Sequence, residues 1–167
     1  TGFMQTLIGK AVQGDVSAFL DLMDQNSLAM YKVARAILNN DEDAADAIQD
    51  TILCCFEKLH TLEKQEYFKT WMTRILINNC NLILRRHRRE RLPGELPEPA
   101  KQDMSLAEFE FKEMLNLMDE KYRLVLAFYY MEGFKIPEIA KLLGLNQNTV
   151  KTRLARAREQ IRAAYLE

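Results

Sequence analysis

Near the end of the chain, residues Lys135–Arg162 read KIPEIAKLLGLNQNTVKTRLARAREQIR, and no other stretch limits the fold as tightly. Ala140, Gly144 and Val150 stand at i, i+4 and i+10. They supply a small residue where two helices cross, a turn residue that tolerates positive φ, and an apolar anchor on the second helix. Asn146 is a good N-cap for that helix. Val150, Leu154, Ala157 and Ile161 recur at i, i+4, i+7 and i+11, a single helical stripe that pins it to a core. The opposite side carries Asn148, Lys151, Thr152, Ala155, Arg156 and Glu159, with Arg153, Arg158 and Arg162 at the flanks. This is the pattern of a helix-turn-helix. A helix of that width enters the DNA major groove, where Asn, Lys and Arg read base edges or phosphates, and flanking arginines suit phosphate. Lys135 is a weak N-cap, while Pro137 lies in the first turn, where it is tolerated. The first helix of the pair is therefore expected to carry a small loss of stability.

Upstream, the apolar residues keep helical spacing and no Val/Thr-rich alternating run occurs, so the whole chain is expected to be all-α. A short helix is predicted over Met4–Gln13, stopped by Gly14. A second, capped by Asp15, runs to about Leu38. A third, capped by Asp41, spans about Glu42–Leu59, with Ala44, Ala45, Ile48, Ile52, Leu53, Phe56 and Leu59 inward and Asp43, Asp46, Gln49, Asp50 and Glu57 outward. His60–Glu66 is polar and reads as a loop. A fourth helix runs from near Tyr67 to about Arg91. It has an apolar stripe of Phe68, Met72, Ile75, Leu76 and Ile83, and a polar stripe of Arg74, Asn78, Asn81 and Arg85 at i, i+4, i+7 and i+11. Leu92–Ser105 holds three of the four prolines and lacks helical periodicity, so it reads as a linker. Helices resume over Leu106–Met118 and Lys121–Met131. The expected architecture is two small helical domains, residues 4–91 and 106–167, joined by a flexible linker at 92–105.

The net charge of −1 hides four blocks of alternating sign. Residues 1–71 carry 6 basic and 11 acidic side chains, 72–92 carry 6 and 1, 93–120 carry 2 and 8, and 121–167 carry 9 and 4. Two anion-binding surfaces and a separate acidic surface for another partner can thus share one chain. The polar stripe of the fourth helix suits single-stranded nucleic acid, with cations for the backbone and amides for a base edge. Five arginines within Arg85–Arg91, among them Arg86, Arg88 and Arg89, suit phosphate. Trp71 adjoins the Met72 stripe and is assigned to core packing rather than base stacking.

Other chemistry is not written here. Cys54, Cys55 and Cys80 form no CxxC pair, and only His60 and His87 could join them, so no metal or cofactor is expected and the thiols read as reduced and buried. There is no nucleophile–base set, paired carboxylates or phosphate loop, so neither an enzyme nor a small-molecule substrate is expected. No apolar run reaches the roughly 18–20 residues that span a bilayer and no leader opens the chain, which leads us to expect a cytoplasmic protein without membrane insertion.

The segment LNLMDEKYRLVLAFYYMEGFKIPEIAKLLGLNQNTVKTRLARAREQIR resembles region 4 of bacterial sigma factors of the extracytoplasmic-function group, with its GxxxxEIAxxLG core and TVKxRLxRAR helix. AVQGDVSAFLDLM, NNDEDAADAIQDTILCCFEKL and YFKTWMTRILINN are similar to successive parts of region 2 of the same group. The resemblance covers nearly all of Met4–Leu166. It implies a factor that binds RNA polymerase core, recognises a promoter and starts its melting. Core binding would then fall to Asp46, Gln49, Asp50 and Phe56. The minus-ten element would meet the loop and the fourth helix, through Tyr67, Phe68, Lys69, Arg74, Asn78, Asn81 and Arg85, with a base flipped beside the loop. Its TLEKQE departs from the arginine, glycine and serine frequent there in the family, which leaves the identity of that base open. The minus-thirty-five element would meet Asn148, Thr149, Lys151, Thr152, Arg153, Ala155 and Arg156. The resemblance also implies an anti-sigma partner that clamps both domains. A stand-alone helix-turn-helix regulator is the competing reading. It explains the C-terminal motif but leaves the acidic helix and TWMTRILINN without a role.

Overall fold

Gly14, with φ of +102°, turns the chain after the first helix, and the Asp15 carboxylate then accepts the Ala18 N–H at 3.0 Å to start the next. The computed structural model describes residues 2–90 and 118–166. Its elements are α1 (Gly2–Val12), α2 (Val16–Gln25), α3 (Ser27–Leu38), α4 (Asp41–Lys58), α5 (Phe68–Glu90), α6 (Glu120–Leu126), α7 (Ile136–Leu143) and α8 (Gln147–Leu166). Short 3-10 turns, Leu59–Thr61 and Gln65–Tyr67, replace the loop expected between α4 and α5, and a π-helical turn, Ala127–Met131, extends α6. Among the described residues there is no β-strand, as an all-α reading requires. Arg91, the expected linker at 92–105 and the helix expected from Leu106 up to residue 117 lie outside the described residues.

The helix boundaries expected for the first half need correction at two places. The long second helix is broken at Asn26, which is buried and bridges α2 to α3 with φ of −104° and ψ of 2°. Its amide donates to the Leu22 carbonyl at 2.8 Å, so the buried side chain caps the end of α2. At the start of α4 the cap is Asn40 rather than Asp41: the Asn40 side chain accepts the Asp43 N–H at 3.0 Å. Asp41, Glu42 and Asp43 fill the first turn, where the helix dipole favours negative charge. Asn39 ends α3 in the left-handed region, at φ of 54°.

The core is built on α5. Phe68, Met72, Leu76, Cys80 and Ile83 share its inner stripe and are buried, each large one contributing about 1.5–3 kcal/mol of hydrophobic stabilisation. They face α3 and α4. The inward side of α4 is a row of small residues, Ala44, Ala47, Thr51 and Cys55, all fully buried. Small side chains let α4 approach α5 closely. The Thr51 hydroxyl donates to the Ala47 carbonyl at 2.7 Å and accepts from the Asn79 amide at 3.1 Å, which satisfies the polar group in the seam. The second half packs onto this body: Val125, Phe128, Phe134 and Ile139 join the same buried cluster as α3 and α5.

Candidate functional site

The outer face of α4 differs from the one expected. Because Ala44, Ala47, Thr51 and Cys55 take the inward side, Leu53 and Phe56 are 62% and 55% exposed instead of buried, and Ala45 is exposed too. Ile48 and Ile52 lie at the margin, partly buried. Asp46, Gln49, Asp50, Leu53, Phe56 and Glu57 therefore form one exposed stripe at i, i+3, i+4, i+7, i+10 and i+11. Asp46, Asp50 and Glu57 make it acidic, and Leu53 and Phe56 put two large apolar side chains between the carboxylates. The Phe56 ring meets Phe19 edge-on, with centroids 5.3 Å apart, and borders a cleft of about 200 Å³ lined also by Val12, Val16 and Leu59. Large apolar side chains held in solvent beside carboxylates have the chemistry of a protein-docking face.

The stretch leading into α5 divides the expected minus-ten residues. Tyr67 is exposed, with the Lys64 ammonium 5.7 Å from its ring centroid. Phe68 is only 1% exposed and meets Trp71 at a tilt, with ring centroids 5.9 Å apart, so it is a core residue and nucleic acid cannot reach it without opening the core. Trp71 packs against the core and its indole N–H donates to the Thr61 hydroxyl at 3.3 Å, in keeping with the packing role assigned to it. Lys69 is half-buried: its ammonium donates to the Glu132 carbonyl at 2.6 Å and sits 4.7 Å from the Phe134 ring centroid. Arg74, Asn78 and Arg85 are exposed and Asn81 is half-buried, a stripe about 16 Å long at 1.5 Å per residue. Arg86, Arg88 and Arg89 are exposed in the last turns of α5, where the dipole favours cations. His87 Nε2 lies 2.8 Å from Asp43 Oδ2 and fastens this end of α5 to the start of α4.

The helix-turn-helix forms as its spacing demands. Gly144 adopts φ of +67° in the turn, and Ala140, Val150 and Leu154 are buried in the main core, while Ala157 is buried in a second cluster with Met118, Tyr122 and Leu126. Asn146 accepts the Thr149 N–H at 2.7 Å. The weak cap at Lys135 is offset, because the Glu138 carboxylate accepts the Lys135 N–H at 3.2 Å. Asn148, Lys151, Thr152, Ala155 and Arg156 are exposed on α8, with Thr149 and Arg153 half-buried. Asn148, Thr149, Thr152, Arg153 and Arg156 line an open groove of about 380 Å³ together with Asn146, Lys121 and Tyr122. Sequence reasoning misses Lys121 and Tyr122, which come from the start of α6. Their only sequence signal is a cation at a helix start. Arg158, expected at a phosphate flank, is exposed; it lies over the rings of Tyr129 and Tyr130, 5.8 and 5.5 Å from their centroids, and donates to the Tyr130 hydroxyl.

Burial pushes the thiols of Cys55 and Cys80 up to about 12, with Cys54 adding to the effect on Cys55, so both stay protonated and inert. Burial also raises the carboxyl of Glu132, against the pull of Lys69 and Lys32. Among the described residues no group of His, Cys, Asp and Glu could hold a metal ion.

Comparison with known proteins meets the same two halves. A family model for sigma-70 region 2 matches residues 22–91, and one for sigma-70 region 4 matches residues 108–161. RNA polymerase sigma factor SigV of Bacillus subtilis (strain 168) is 29% identical over 136 residues, covering 79% of this chain and 81% of SigV. ECF RNA polymerase sigma factor SigW of the same strain is 27% identical over 185 residues, covering 95% and 97%. Among solved structures, CnrH in complex with the cytosolic domain of CnrY superposes with a TM-score of 0.73 at 25% identity, covering 98% of this chain and 97% of CnrH.

Proposed function

Because the chain belongs to the sigma-70 family of RNA polymerase sigma factors, in its extracytoplasmic-function group, we propose that the α4 stripe docks on RNA polymerase core while α5 and α8 read two promoter elements. As an alternative sigma factor it directs polymerase to specific promoters. The division of labour follows the surfaces. Asp46, Gln49, Asp50 and Phe56, with Leu53 added, make an acidic and apolar face suited to a basic protein partner and repelled by DNA. Tyr67, Arg74, Asn78, Asn81 and Arg85 take the melted minus-ten strand, and Arg86, Arg88 and Arg89 hold phosphate beyond it. Lys69 can join them only once it leaves Glu132. Asn148, Thr149, Lys151, Thr152, Arg153, Ala155 and Arg156 enter the major groove at the minus-thirty-five element.

One observation carries this reading. Two exposed cationic readers of different kind, a stripe of cations and amides on α5 and a helix-turn-helix, share a chain with a third face that is acidic and apolar. A regulator acting alone has no use for the third face. Residues 4–91 then form the polymerase-binding and minus-ten unit, 92–105 the linker and 106–167 the minus-thirty-five unit. Such a factor is not an enzyme: it positions polymerase, which does the chemistry. It works in the cytoplasm, where polymerase is, and no helix among the described residues is long and apolar enough to cross a membrane. An anti-sigma protein covering both units is the expected regulatory partner, as CnrY accompanies CnrH.

The test is gel filtration of the full chain with purified bacterial core polymerase. Co-elution in a stoichiometric complex is expected. Tight binding of duplex DNA by the chain alone, with no polymerase association, would establish the stand-alone regulator instead.

A further inference from the structure

Gly9 lies inside α1, without the positive φ that Gly14, Gly133 and Gly144 adopt in their turns. Glycine is the poorest helix former after proline, so its place there calls for a reason. Among the described glycines it alone would carry a Cβ against a neighbour. That Cβ would stand 3.2 Å from the side-chain Nε2 of Gln65, a few tenths of an ångström too close. The missing side chain is the seat of the Gln65 amide.

Gln65 opens the 3-10 turn Gln65–Tyr67 that leads into α5. The stretch around it is fixed from behind. Leu62 is half-buried against the core, the Thr61 hydroxyl accepts the Trp71 indole N–H, Phe68 is buried, and the Tyr67 N–H donates to the Lys64 carbonyl at 3.0 Å. Both 3-10 turns also pack on α1. Gln65 on Gly9 is a tie on that side. Outward stand Glu63, Lys64, Glu66 and Tyr67. Of these, Lys64 and Tyr67 form a pair, the ammonium 5.7 Å from the ring centroid. They offer a cation for a backbone phosphate and an aromatic face for a base, the two contacts that single-stranded nucleic acid takes. A turn ordered before the strand arrives does not have to be immobilised by it.

We propose that α1 is the back wall of the minus-ten reader: Gly9 is a positioning residue that seats the Gln65 amide and so holds the turn carrying Lys64 and Tyr67 in the shape that receives the melted strand. This rests on the minus-ten role given to Tyr67 above. It adds Gln65 as the tie, Lys64 as a contact, and a helix to which that role assigned nothing.

The experiment follows promoter opening in time, by permanganate reactivity of thymines, with core polymerase and the full chain on duplex DNA selected by the wild-type mixture. Gly9→Leu fills the seat and is expected to slow opening about two- to tenfold, the effect of one side chain left unordered. Gly9→Ala asks Gln65 to yield by a few tenths of an ångström. It is expected to slow opening about twofold and yet to raise the urea midpoint, because alanine favours the helix. Both variants are expected to bind core polymerase as wild type does. Gln65→Ala removes the tie and is expected to slow opening as Gly9→Leu does, after which adding Gly9→Leu changes nothing more. A structural role for Gly9 alone would not depend on Gln65 in this way. Opening at the wild-type rate by the Gly9→Leu chain, or an equal slowing by Gly9→Leu with and without Gln65→Ala, overturns the proposal. Where circular dichroism shows Gly9→Leu to be unfolded, Gly9→Ala takes its place in the same comparison, with the same overturning results. A wild-type chain that neither binds polymerase nor opens DNA overturns the sigma-factor reading, and the role of Gly9 with it.

Discussion

Replacing Phe56 with alanine separates a folding role from a docking role at one position. A phenylalanine side chain offers about 200 Å² of surface. With 55% of Phe56 exposed, about 90 Å² is already buried, Phe19 being one neighbour, and about 110 Å² remains for a partner. At about 25 cal/mol per Å², the buried part contributes about 2 kcal/mol to folding and the exposed part about 2.7 kcal/mol to docking. Phe56→Ala is thus expected to lower stability by about 2–3 kcal/mol once the edge-on ring contact is included, which a domain with 5–15 kcal/mol in hand survives. Affinity for polymerase core is expected to fall by up to about 100-fold. Fluorescence anisotropy of labelled chain titrated with core polymerase reads the affinity, and urea unfolding reads the stability. Leu28→Ala serves as the control, since Leu28 is 63% exposed but stands on α3. A folded Phe56→Ala chain that binds core within threefold of wild type would refute the docking role of this stripe.

Other consequences follow from burial and charge. Leu154 is 2% exposed where α8 crosses its neighbours, so Leu154→Ala should cost about 2–5 kcal/mol and reduce the denaturant midpoint. Replacing Arg86, Arg88 and Arg89 together by alanine should leave helicity intact and flatten the log–log salt dependence of promoter binding by holoenzyme by up to about 2.7, at about 0.9 per phosphate. An unchanged slope would show that these arginines do not meet phosphate. Cys55 and Cys80 have thiols raised from 9.0 to about 12, so the unfolded chain loses these protons above about pH 9 while the folded chain keeps them. The stability they confer is complete below pH 9 and drains away as the pH climbs towards 12, which pH-dependent urea midpoints compared with a Cys55→Ala, Cys80→Ala chain would show. At neutral pH a thiol reagent should modify Cys54 alone in the native chain.

The helix-turn-helix is legible in the amino-acid sequence because its requirements are local: Ala140 for the crossing, Gly144 for positive φ, Asn146 for the cap, and an apolar residue at each inward turn of α8. The polar stripe of α5 is legible for the same reason. The face of α4 is not, because periodicity assumes that large apolar residues point inward. On α4 the inward row is alanine, threonine and cysteine, which allow close approach to α5, while Leu53 and Phe56 are left in solvent. A docking face looks like a core face to a hydrophobicity pattern. The break at Asn26 has no glycine or proline to announce it, and only the hydrogen bond from its amide to Leu22 reveals the cap. Resemblance assigns Phe68 to DNA although the residue also lies on the apolar stripe, and packing decides for the stripe. The contacts from Lys69 to Glu132 and from Arg123 to Ala36 join residues 63 and 87 positions apart, beyond any local signal.

The most direct measurement is promoter opening. Core polymerase mixed with the full chain, on duplex DNA selected by that same mixture, should show permanganate-reactive thymines around the minus-ten element and produce short transcripts when nucleotides are added. Neither signal should appear with core alone, or with a chain lacking the exposed α4 residues Asp46, Asp50 and Phe56. Duplex binding by the mixture without any opening, or opening that survives loss of the α4 stripe, would contradict a sigma factor that works through these surfaces.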